Sequence, residues 1–133
     1  MKEYIMGLHH VGIPTNKMDE TIKFYSQFGA KIIFEKEDSF EGKPIRVVLI
    51  DFAGTVLEFY ERDQIAGKAG ALEHIAFSAV NIEKLYALAK ENGCSFMEDC
   101  ANEVQSSSYW PKPVKWFIVY GVNGEKIEFS EEK

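Results

Sequence analysis

Apolar residues recur at helical spacing in two segments of the chain. The first predicted helix lies between a cap at Thr15 or Asn16 and a stop at Gly29. The second lies between a cap at Asn81 and the Asn92-Gly93 pair. The apolar positions at helical spacing are Met18, Ile22, Tyr25 and Phe28 in the first and Ile82, Leu85, Leu88 and Ala89 in the second.

Short β-rich runs flank both helices and predict strands. In each half of the chain the predicted order is β-α-β-β-β. The predicted strands are 7–14, 30–37, 44–52 and 55–61 in the first half, and 71–80, 94–99, 114–121 and 125–131 in the second. Asn123-Gly124 joins the last two strands and is a strong hairpin signal. The serine-rich segment 101–113 is interpreted as a loop, and its closure as a lid over a bound substrate is a hypothesis.

The two halves are an internal repeat, which indicates a duplicated unit. Residues 7–13 align with 71–77, and residues 56–61 align with 126–131. A four-stranded sheet with one helix leaves its other face uncovered, and two such units cover it together. The sequence therefore predicts an α+β fold: a single domain, 1–133, of two tandem βαβββ modules (about 5–65 and 70–133) whose sheets form an open half-barrel around a metal site.

The repeat places His10 on His74 and Glu58 on Glu128. A lone strand histidine is more often a core residue, and a glutamate between apolar neighbours is more often solvent-facing. Retention of both at equivalent positions favours a ligand role instead. Imidazole nitrogen and carboxylate oxygen bind first-row divalent ions in open five- or six-coordinate geometry. We therefore expect His10, Glu58, His74 and Glu128 to hold one divalent metal ion.

The positions of three other polar residues exclude them from this set of candidate ligands. His9 competes with His10, but adjacent strand residues face opposite ways and the repeat aligns His9 with Glu73. Glu61 and Glu131 are also aligned by the repeat, yet they lie three residues past the candidate ligands, on the opposite face. We interpret Glu61 and Glu131 as solvated strand-end charges.

Composition and charge exclude some classes of function. The chain has 133 residues, 46% of them hydrophobic, and a net charge of −6, which disfavours a nucleic-acid partner. No run approaches the roughly 20 apolar residues of a membrane span, and no secretory signal is visible, so the expected location is the cytoplasm. Cys94 and Cys100 are expected to be reduced and are given no function.

With these residues in view, the sequence resembles the vicinal-oxygen-chelate superfamily, which includes glyoxalase I, methylmalonyl-CoA epimerase, fosfomycin-resistance transferases, extradiol dioxygenases and bleomycin-binding proteins. The resemblance covers nearly the whole chain. It is carried by residues 8–13, 19–29, 56–58, 73–77 and 126–129. It implies a homodimer, with the metal site either within one chain or shared between two.

Among these classes the resemblance points to glyoxalase I. Methylmalonyl-CoA epimerases usually have Gln where this chain has Glu58, and dioxygenases and fosfomycin enzymes use only two His and one Glu. The implied reaction isomerises the hemithioacetal of methylglyoxal and a thiol into the S-D-lactoyl thioester through an enediolate held by the metal. Glu128 is implied as the base and Glu58 as its counterpart, while His10 and His74 serve only as ligands.

The resemblance also implies the cofactor and the co-substrate. Short glyoxalase I chains prefer Ni²⁺ or Co²⁺ over Zn²⁺, and the thiol is glutathione or another carrier. The alternatives are methylmalonyl-CoA epimerase and a non-catalytic drug-binding resistance protein. The paired carboxylates disfavour the drug-binding protein, because without a cation they line an apolar pocket at high cost.

Two positions depart from the glutathione-using pattern. Pro14 and Arg62 stand where those relatives commonly have Arg and Asn. The cations that remain as candidates for contacting a substrate carboxylate are Arg62, Arg46, Lys112 and Lys115. The aromatic residues that line a substrate pocket or pack beneath a loop are Tyr109, Trp110 and Trp116.

Overall fold

The computed structural model describes residues 1–108 and 110–133, and the chain divides into two compact units, Met1–Ile65 and Ala66–Lys133. Each unit contains an α-helix and an open sheet, so the predicted α+β class with two βαβββ modules is confirmed. That the modules form a single domain stays a prediction. Within the described residues, no helix has the length and apolar composition that crossing a membrane requires.

The first unit is built around a four-stranded sheet. Its elements are strand β1 (Val11–Thr15), helix α1 (Met18–Ser26) and strands β2 (Lys31–Phe40), β3 (Lys43–Phe52) and β4 (Thr55–Glu61). The strand order is β1-β4-β3-β2; β1 is parallel to β4 and the other pairs are antiparallel. The chain therefore joins its first and last strands side by side, although most of the unit separates them in sequence.

Alternation along β4 determines which side chains meet the helix. Leu57 and Phe59 are fully buried, and the Tyr25 ring of α1 packs 5.1 Å from the Phe59 ring. Burying side chains of this size stabilises the fold by about 1.5–3 kcal/mol each. Because successive strand residues face opposite ways, this packing directs Glu58 to the face away from α1.

The second unit repeats this plan. Its elements are strand β5 (Ile75–Ser78), helix α2 (Ile82–Glu91) and strands β6 (Ser95–Phe96), β7 (Gln105–Ser107), β8 (Val114–Tyr120) and β9 (Lys126–Glu132). The strand order is β5-β9-β8-β6, with β7 also paired to β8, and β5 is parallel to β9. Phe117 and Ile127 are fully buried, and the Tyr86 ring of α2 contacts the Phe117 ring at 5.3 Å.

Both leading strands begin later than the sequence predicts. The predicted strand 7–14 begins at Val11, and the predicted strand 71–80 spans only Ile75–Ser78. The parallel partner sets the limit: Val11 pairs with Leu57 only two residues after β4 begins, and Ile75 pairs with Ile127 one residue after β9 begins. Both candidate histidines therefore lie immediately before a strand rather than within it.

The prediction of a loop over 101–113 is wrong in part. Residues 105–107 form β7, whose register pairs Gln105 with Trp116 and Ser107 with Val114. Serine has little β propensity, so the neighbouring strand rather than local sequence supplies this pairing. The Gln105 side chain adds a hydrogen bond from its Nε2 to the Asp99 carbonyl oxygen at 2.5 Å. A lid in this segment stays a hypothesis.

The interpretation of Glu61 and Glu131 as solvated charges is wrong. Glu131 Oε1 accepts the Asn81 N–H at 2.7 Å and Oε2 accepts the Ile82 N–H at 3.3 Å, so Glu131 caps α2 from strand β9. The Asn81 side chain makes no capping hydrogen bond. Glu61 Oε1 accepts the Arg46 N–H at 2.5 Å. Backbone donors left unpaired at a helix start and along a strand recruit these carboxylates.

The first helix also begins differently from the prediction. Its N-cap position is Lys17, and neither Thr15 nor Asn16 caps it. The Thr15 hydroxyl instead accepts the Lys17 N–H at 2.9 Å and contacts the Thr21 hydroxyl at 3.0 Å. Thr15 therefore stabilises the turn that leads into the helix.

The cap by Glu131 predicts a measurable contribution to stability. We expect Glu131→Ala to lower the free energy of unfolding by about 1–2 kcal/mol, because two helix-start N–H groups lose a charged acceptor. Urea denaturation measures this change. The control is Glu132→Ala, whose side chain is 70% exposed and should change stability by less than about 0.5 kcal/mol. Equal effects of the two substitutions would contradict the capping role.

Candidate functional site

The first unit places His10 beside Glu58. The parallel register aligns Gly12 with Glu58, which leaves His10 two residues before that pair, immediately before β1 begins. His10 Nε2 and Glu58 Oε1 are 3.7 Å apart, too far for a hydrogen bond. The side chains are 40% and 33% exposed, so both remain accessible from solvent.

The second unit places His74 beside Glu128 in the same way. Ala76 pairs with Glu128 in the parallel register, and His74 lies two residues earlier. His74 Nε2 is 3.2 Å from Glu128 Oε2, and the Ser130 hydroxyl donates to Glu128 Oε1 at 2.6 Å. The Glu128 side chain is only 16% exposed. One carboxylate oxygen is therefore held by Ser130 while the other faces the imidazole.

The opposite ring nitrogen of each histidine contacts the preceding residue. His9 Nδ1 lies 2.8 Å from His10 Nδ1, and Glu73 Oε2 lies 2.5 Å from His74 Nδ1. Lys126 Nζ donates to the other oxygen of Glu73. The hydrogen bond from Lys126 and then the contact with His74 lower the pKa of the Glu73 carboxyl below its usual value.

The four predicted ligands are therefore found as two pairs: His10 with Glu58, and His74 with Glu128. In the described part of either unit, no group of three or more His, Cys, Asp or Glu side chains is arranged to hold a metal ion. The set of four as one metal site stays a prediction.

The chemistry of each pair nevertheless suits a divalent cation. First-row metal ions bind nitrogen and oxygen at about 2.0–2.2 Å, which separates two ligand atoms of one ion by roughly 3.0–3.6 Å. The His74–Glu128 separation of 3.2 Å falls in this range, and the His10–Glu58 separation of 3.7 Å lies just above it. Donors of nitrogen and oxygen without thiolate are typical of sites for such ions.

The four cations proposed for substrate contact differ in their surroundings. Three of them pair with carboxylates of their own unit: Arg46 with Asp19 and Glu35, Lys115 with Glu83, and Lys112 with Glu132. Among the described residues, Arg62 has no carboxylate partner. Its Nη1 donates to the Glu61 carbonyl oxygen at 2.8 Å, which leaves the remaining guanidinium donors open to a ligand.

Arg62 borders a cavity of about 710 Å³ at one end of the first sheet. The guanidinium carbon lies 3.5 Å from the centroid of the Phe40 ring and 4.8 Å from that of Tyr60. Stacking of this kind orients the planar donor fork. Because Glu58, Tyr60 and Arg62 alternate along the chain, they share one face of the sheet, although Arg62 lies just beyond the end of β4.

The aromatic candidates show no common role. The Trp116 ring nitrogen donates to the Ser107 hydroxyl at 3.0 Å, so Trp116 packs against β7. Trp110 is 58% exposed. Tyr109 lies outside the described residues. The alternative interpretation of packing beneath this segment therefore fits Trp116.

Sequence reasoning overlooked the residues that hold the candidate ligands. Lys126 and Ser130 lie two residues before and after Glu128, on the same face of β9. That spacing was a usable signal, because period-two neighbours of a strand ligand share its face. The contact of Glu73 with His74 had no such signal, because the two residues are adjacent and adjacent residues of a strand face opposite ways; both lie before β5 begins.

Comparison with known proteins identifies related sequences and folds. The model of the glyoxalase/bleomycin resistance protein/dioxygenase superfamily matches residues 7–129. No curated protein sequence matches the chain.

Solved structures share the fold at low sequence identity. A glyoxalase family protein from Bacillus anthracis aligns over 100% of both chains at 22% identity, with a TM-score of 0.69. Fosfomycin resistance protein FosX from Listeria monocytogenes aligns over 97% of this chain and 95% of its own at 17% identity, with a TM-score of 0.71. A glutamate-to-glutamine mutant of FosX, solved with Mn(II) and 1S,2S-dihydroxypropylphosphonic acid, aligns over 94% and 91% at 19% identity, with a TM-score of 0.68.

Proposed function

Because the chain belongs to the glyoxalase/bleomycin resistance protein/dioxygenase superfamily, we propose that it is a metal-dependent glyoxalase I. In this proposal His10, Glu58, His74 and Glu128 hold one divalent ion. The enzyme converts the hemithioacetal of methylglyoxal and a thiol into the S-D-lactoyl thioester. The observation that carries the proposal is the same His–Glu pair at the same strand register in each unit.

The presence of Glu58 beside His10 distinguishes this proposal from the alternatives. Two His–Glu pairs provide two carboxylates, as an isomerase needs if one proton is to be moved on either side of the substrate. The proposed ion is Ni²⁺ or Co²⁺, and Mn²⁺ is added as a candidate because a FosX structure contains it. When bound, such an ion would act as a Lewis acid on adjacent substrate oxygens.

The carboxylates move the proton in this proposal. Glu128 accepts the proton from the carbon that carries the sulfur and the hydroxyl group, and the proton is returned to the neighbouring carbon. The hydroxyl proton passes to the oxygen of that neighbouring carbon, so the first carbon becomes the thioester carbonyl. No electron acceptor is needed, because the substrate and product are isomers. Glu128 suits this role better than Glu58 because its side chain is less exposed and the Ser130 hydroxyl holds Oε1. Oε2, the oxygen that faces His74, would give up metal coordination to accept the proton. Glu58 is the counterpart on the other side.

The surroundings of Arg62 favour a substrate that has an acidic group at a distance from the reacting carbons. A stacked guanidinium without a carboxylate partner is suited to a carboxylate or a phosphonate. Glutathione supplies carboxylates and is the first thiol to test. The same feature favours a second candidate function, action on a phosphonate such as fosfomycin, for which the fold similarity to FosX gives a reason to test.

We also propose that the protein is a cytoplasmic homodimer. The free thiols of Cys94 and Cys100 are consistent with a reducing compartment.

Mixing the inactive variants His10→Ala and His74→Ala tests how the site is assembled. Activity returns on mixing if each site combines residues of two chains, and does not return if each site lies within one chain.

Turnover by metal-free protein, followed by restored metal, tests the proposed reaction. We expect thioester formation from methylglyoxal and glutathione only after Ni²⁺, Co²⁺ or Mn²⁺ is added. We expect Glu128→Gln to lower kcat by about 10²–10⁴-fold, because general-base catalysis contributes that much. Glu132→Gln, the same change on an exposed residue of β9, is the control and should retain activity.

The outcome also separates the candidates. Metal-dependent turnover in which Glu128→Gln is as active as Glu132→Gln would contradict the role of Glu128. Metal binding without turnover of the hemithioacetal would direct the search to other thiols, methylmalonyl-CoA and fosfomycin. Binding of an aromatic drug without metal would favour the resistance-protein alternative.

Arg62 predicts a defect in substrate binding rather than in chemistry. We expect Arg62→Ala to raise KM for the glutathione hemithioacetal by about 10–100-fold with kcat nearly unchanged, because a hydrogen bond to a charged group contributes about 1.5–3 kcal/mol. Steady-state kinetics measure the split. Arg46→Ala is the matched control, since Arg46 is already paired with Asp19 and Glu35. A KM that is unchanged in Arg62→Ala and raised in Arg46→Ala would reverse the assignment.

A further inference from the structure

The residue before each candidate ligand histidine contacts the same atom of that histidine. In the first unit it is His9, at 2.8 Å from His10 Nδ1, and in the second it is Glu73, at 2.5 Å from His74 Nδ1. The internal repeat aligns His9 with Glu73. Two chemically different side chains therefore occupy one structural position and make one kind of contact.

A carboxylate faces each ring nitrogen of His74, and the shorter contact, 2.5 Å to Glu73 against 3.2 Å to Glu128, places the proton in the second unit. An ionised carboxylate only accepts hydrogen bonds, so the contact requires the proton to be on His74 Nδ1. In the neutral ring, Nε2 then carries the lone pair, and this nitrogen faces Glu128 Oε2. That is the tautomer in which Nε2 binds a metal ion.

The contact in the first unit allows the same arrangement, with an imidazole nitrogen as the acceptor. Of two imidazole nitrogens 2.8 Å apart, one donates and the other accepts. When His10 is the donor, its Nε2 carries the lone pair on the side of Glu58, as in the second unit. His9 then accepts through Nδ1 and carries its own proton on Nε2.

We infer that His9 and Glu73 are positioning residues that hold His10 and His74 in the tautomer and orientation needed for metal binding through Nε2. This inference rests on the proposed metal site. A hydrogen-bond acceptor on the far nitrogen is the usual way in which proteins orient a metal-binding imidazole.

Positions 9 and 73 differ in how strongly their side chains support metal binding by the neighbouring histidine. Glu73 is negatively charged and Lys126 holds its other oxygen, so Glu73 makes the His74 ring a stronger donor to a cation. His9 supplies no carboxylate, and among the described residues no ion pair fixes it. The second unit therefore provides the stronger half of the ligand set, and losing Glu73 should weaken metal binding more than losing His9.

One face of strand β9 organises the stronger half. Lys126, Glu128 and Ser130 alternate along β9 and share that face. Lys126 holds Glu73, Glu128 faces His74, and Ser130 holds Glu128. A surface ion pair such as Lys126–Glu73 contributes little to the stability of a fold. The test must therefore measure the protonation and metal binding of the His74 ring rather than stability alone.

Nitrogen-15 NMR of metal-free protein reads the tautomers directly. The chain contains only three histidines, so single variants assign every ring. At about pH 8, where an ordinary histidine is neutral, we expect His10 and His74 to carry the proton on Nδ1 and His9 to carry it on Nε2. Nε2-protonated His74 or His10 in the wild type would overturn the inference.

Variants separate hydrogen bonding from general damage. Glu73→Ala should abolish the single-tautomer signal of His74, whereas Glu73→Gln keeps an acceptor and should retain it. His9→Ala should likewise abolish the single-tautomer signal of His10, and His9→Asn should retain that signal. Glu83→Ala removes a comparable surface pair with Lys115 that involves none of the histidines or their hydrogen-bond partners, and is the control that should change nothing.

Calorimetric titration with Ni²⁺ measures the role toward the metal. We expect Glu73→Ala to raise the Kd for Ni²⁺ by about 10–100-fold, with a smaller increase for His9→Ala and none for Glu83→Ala. Unchanged affinity in Glu73→Ala, with the wild type binding normally, would overturn the positioning role. If the wild type binds no divalent ion, the proposed metal site and the role of these residues toward it both fail, while the tautomers still report whether His9 and Glu73 orient the rings.

Discussion

The parallel pairing of the first and last strands of each unit is the constraint on which the candidate site depends. Residues just before β1 are brought beside the middle of β4, and residues just before β5 beside the middle of β9. No local contact could join them, because the helix and the other strands intervene in sequence. Burial of Leu57 and Phe59 against the helix then turns Glu58 to the other face, where His10 lies.

The same constraint explains what the sequence predicted and what it did not. Alignment of His10 with His74 and of Glu58 with Glu128 predicted one four-residue metal site, which stays a prediction. The structure brings together the His and the Glu of each unit, because a repeated fold places repeated residues alike. The starts of β1 and β5 were predicted too early, since apolar content near a strand does not show where its parallel partner strand begins. The cap on α2 was assigned to Asn81, whereas Glu131, fifty residues later, reaches the helix start through the sheet. Long-range contacts of this kind carry no sequence signal of their own.

Ion pairing shows which candidate cation is available to a substrate, which composition alone does not. Arg46 and Arg62 look alike in sequence, and both were candidates for substrate contact. In the fold, Arg46 is held by two carboxylates, whereas aromatic rings surround the guanidinium of Arg62 and leave donors open. The difference arises from the neighbours on adjacent strands, so it could not be predicted without the register of β2, β3 and β4.

The unlike residues at the aligned positions 9 and 73 show what covalent duplication permits. Two identical single-module chains would carry any substitution in both copies, as their symmetry requires. A tandem chain is free of that requirement, so a carboxylate can be introduced at position 73 while position 9 keeps an imidazole. Selection can then adjust the electron donation of one histidine without altering the other, an independence that symmetry would forbid.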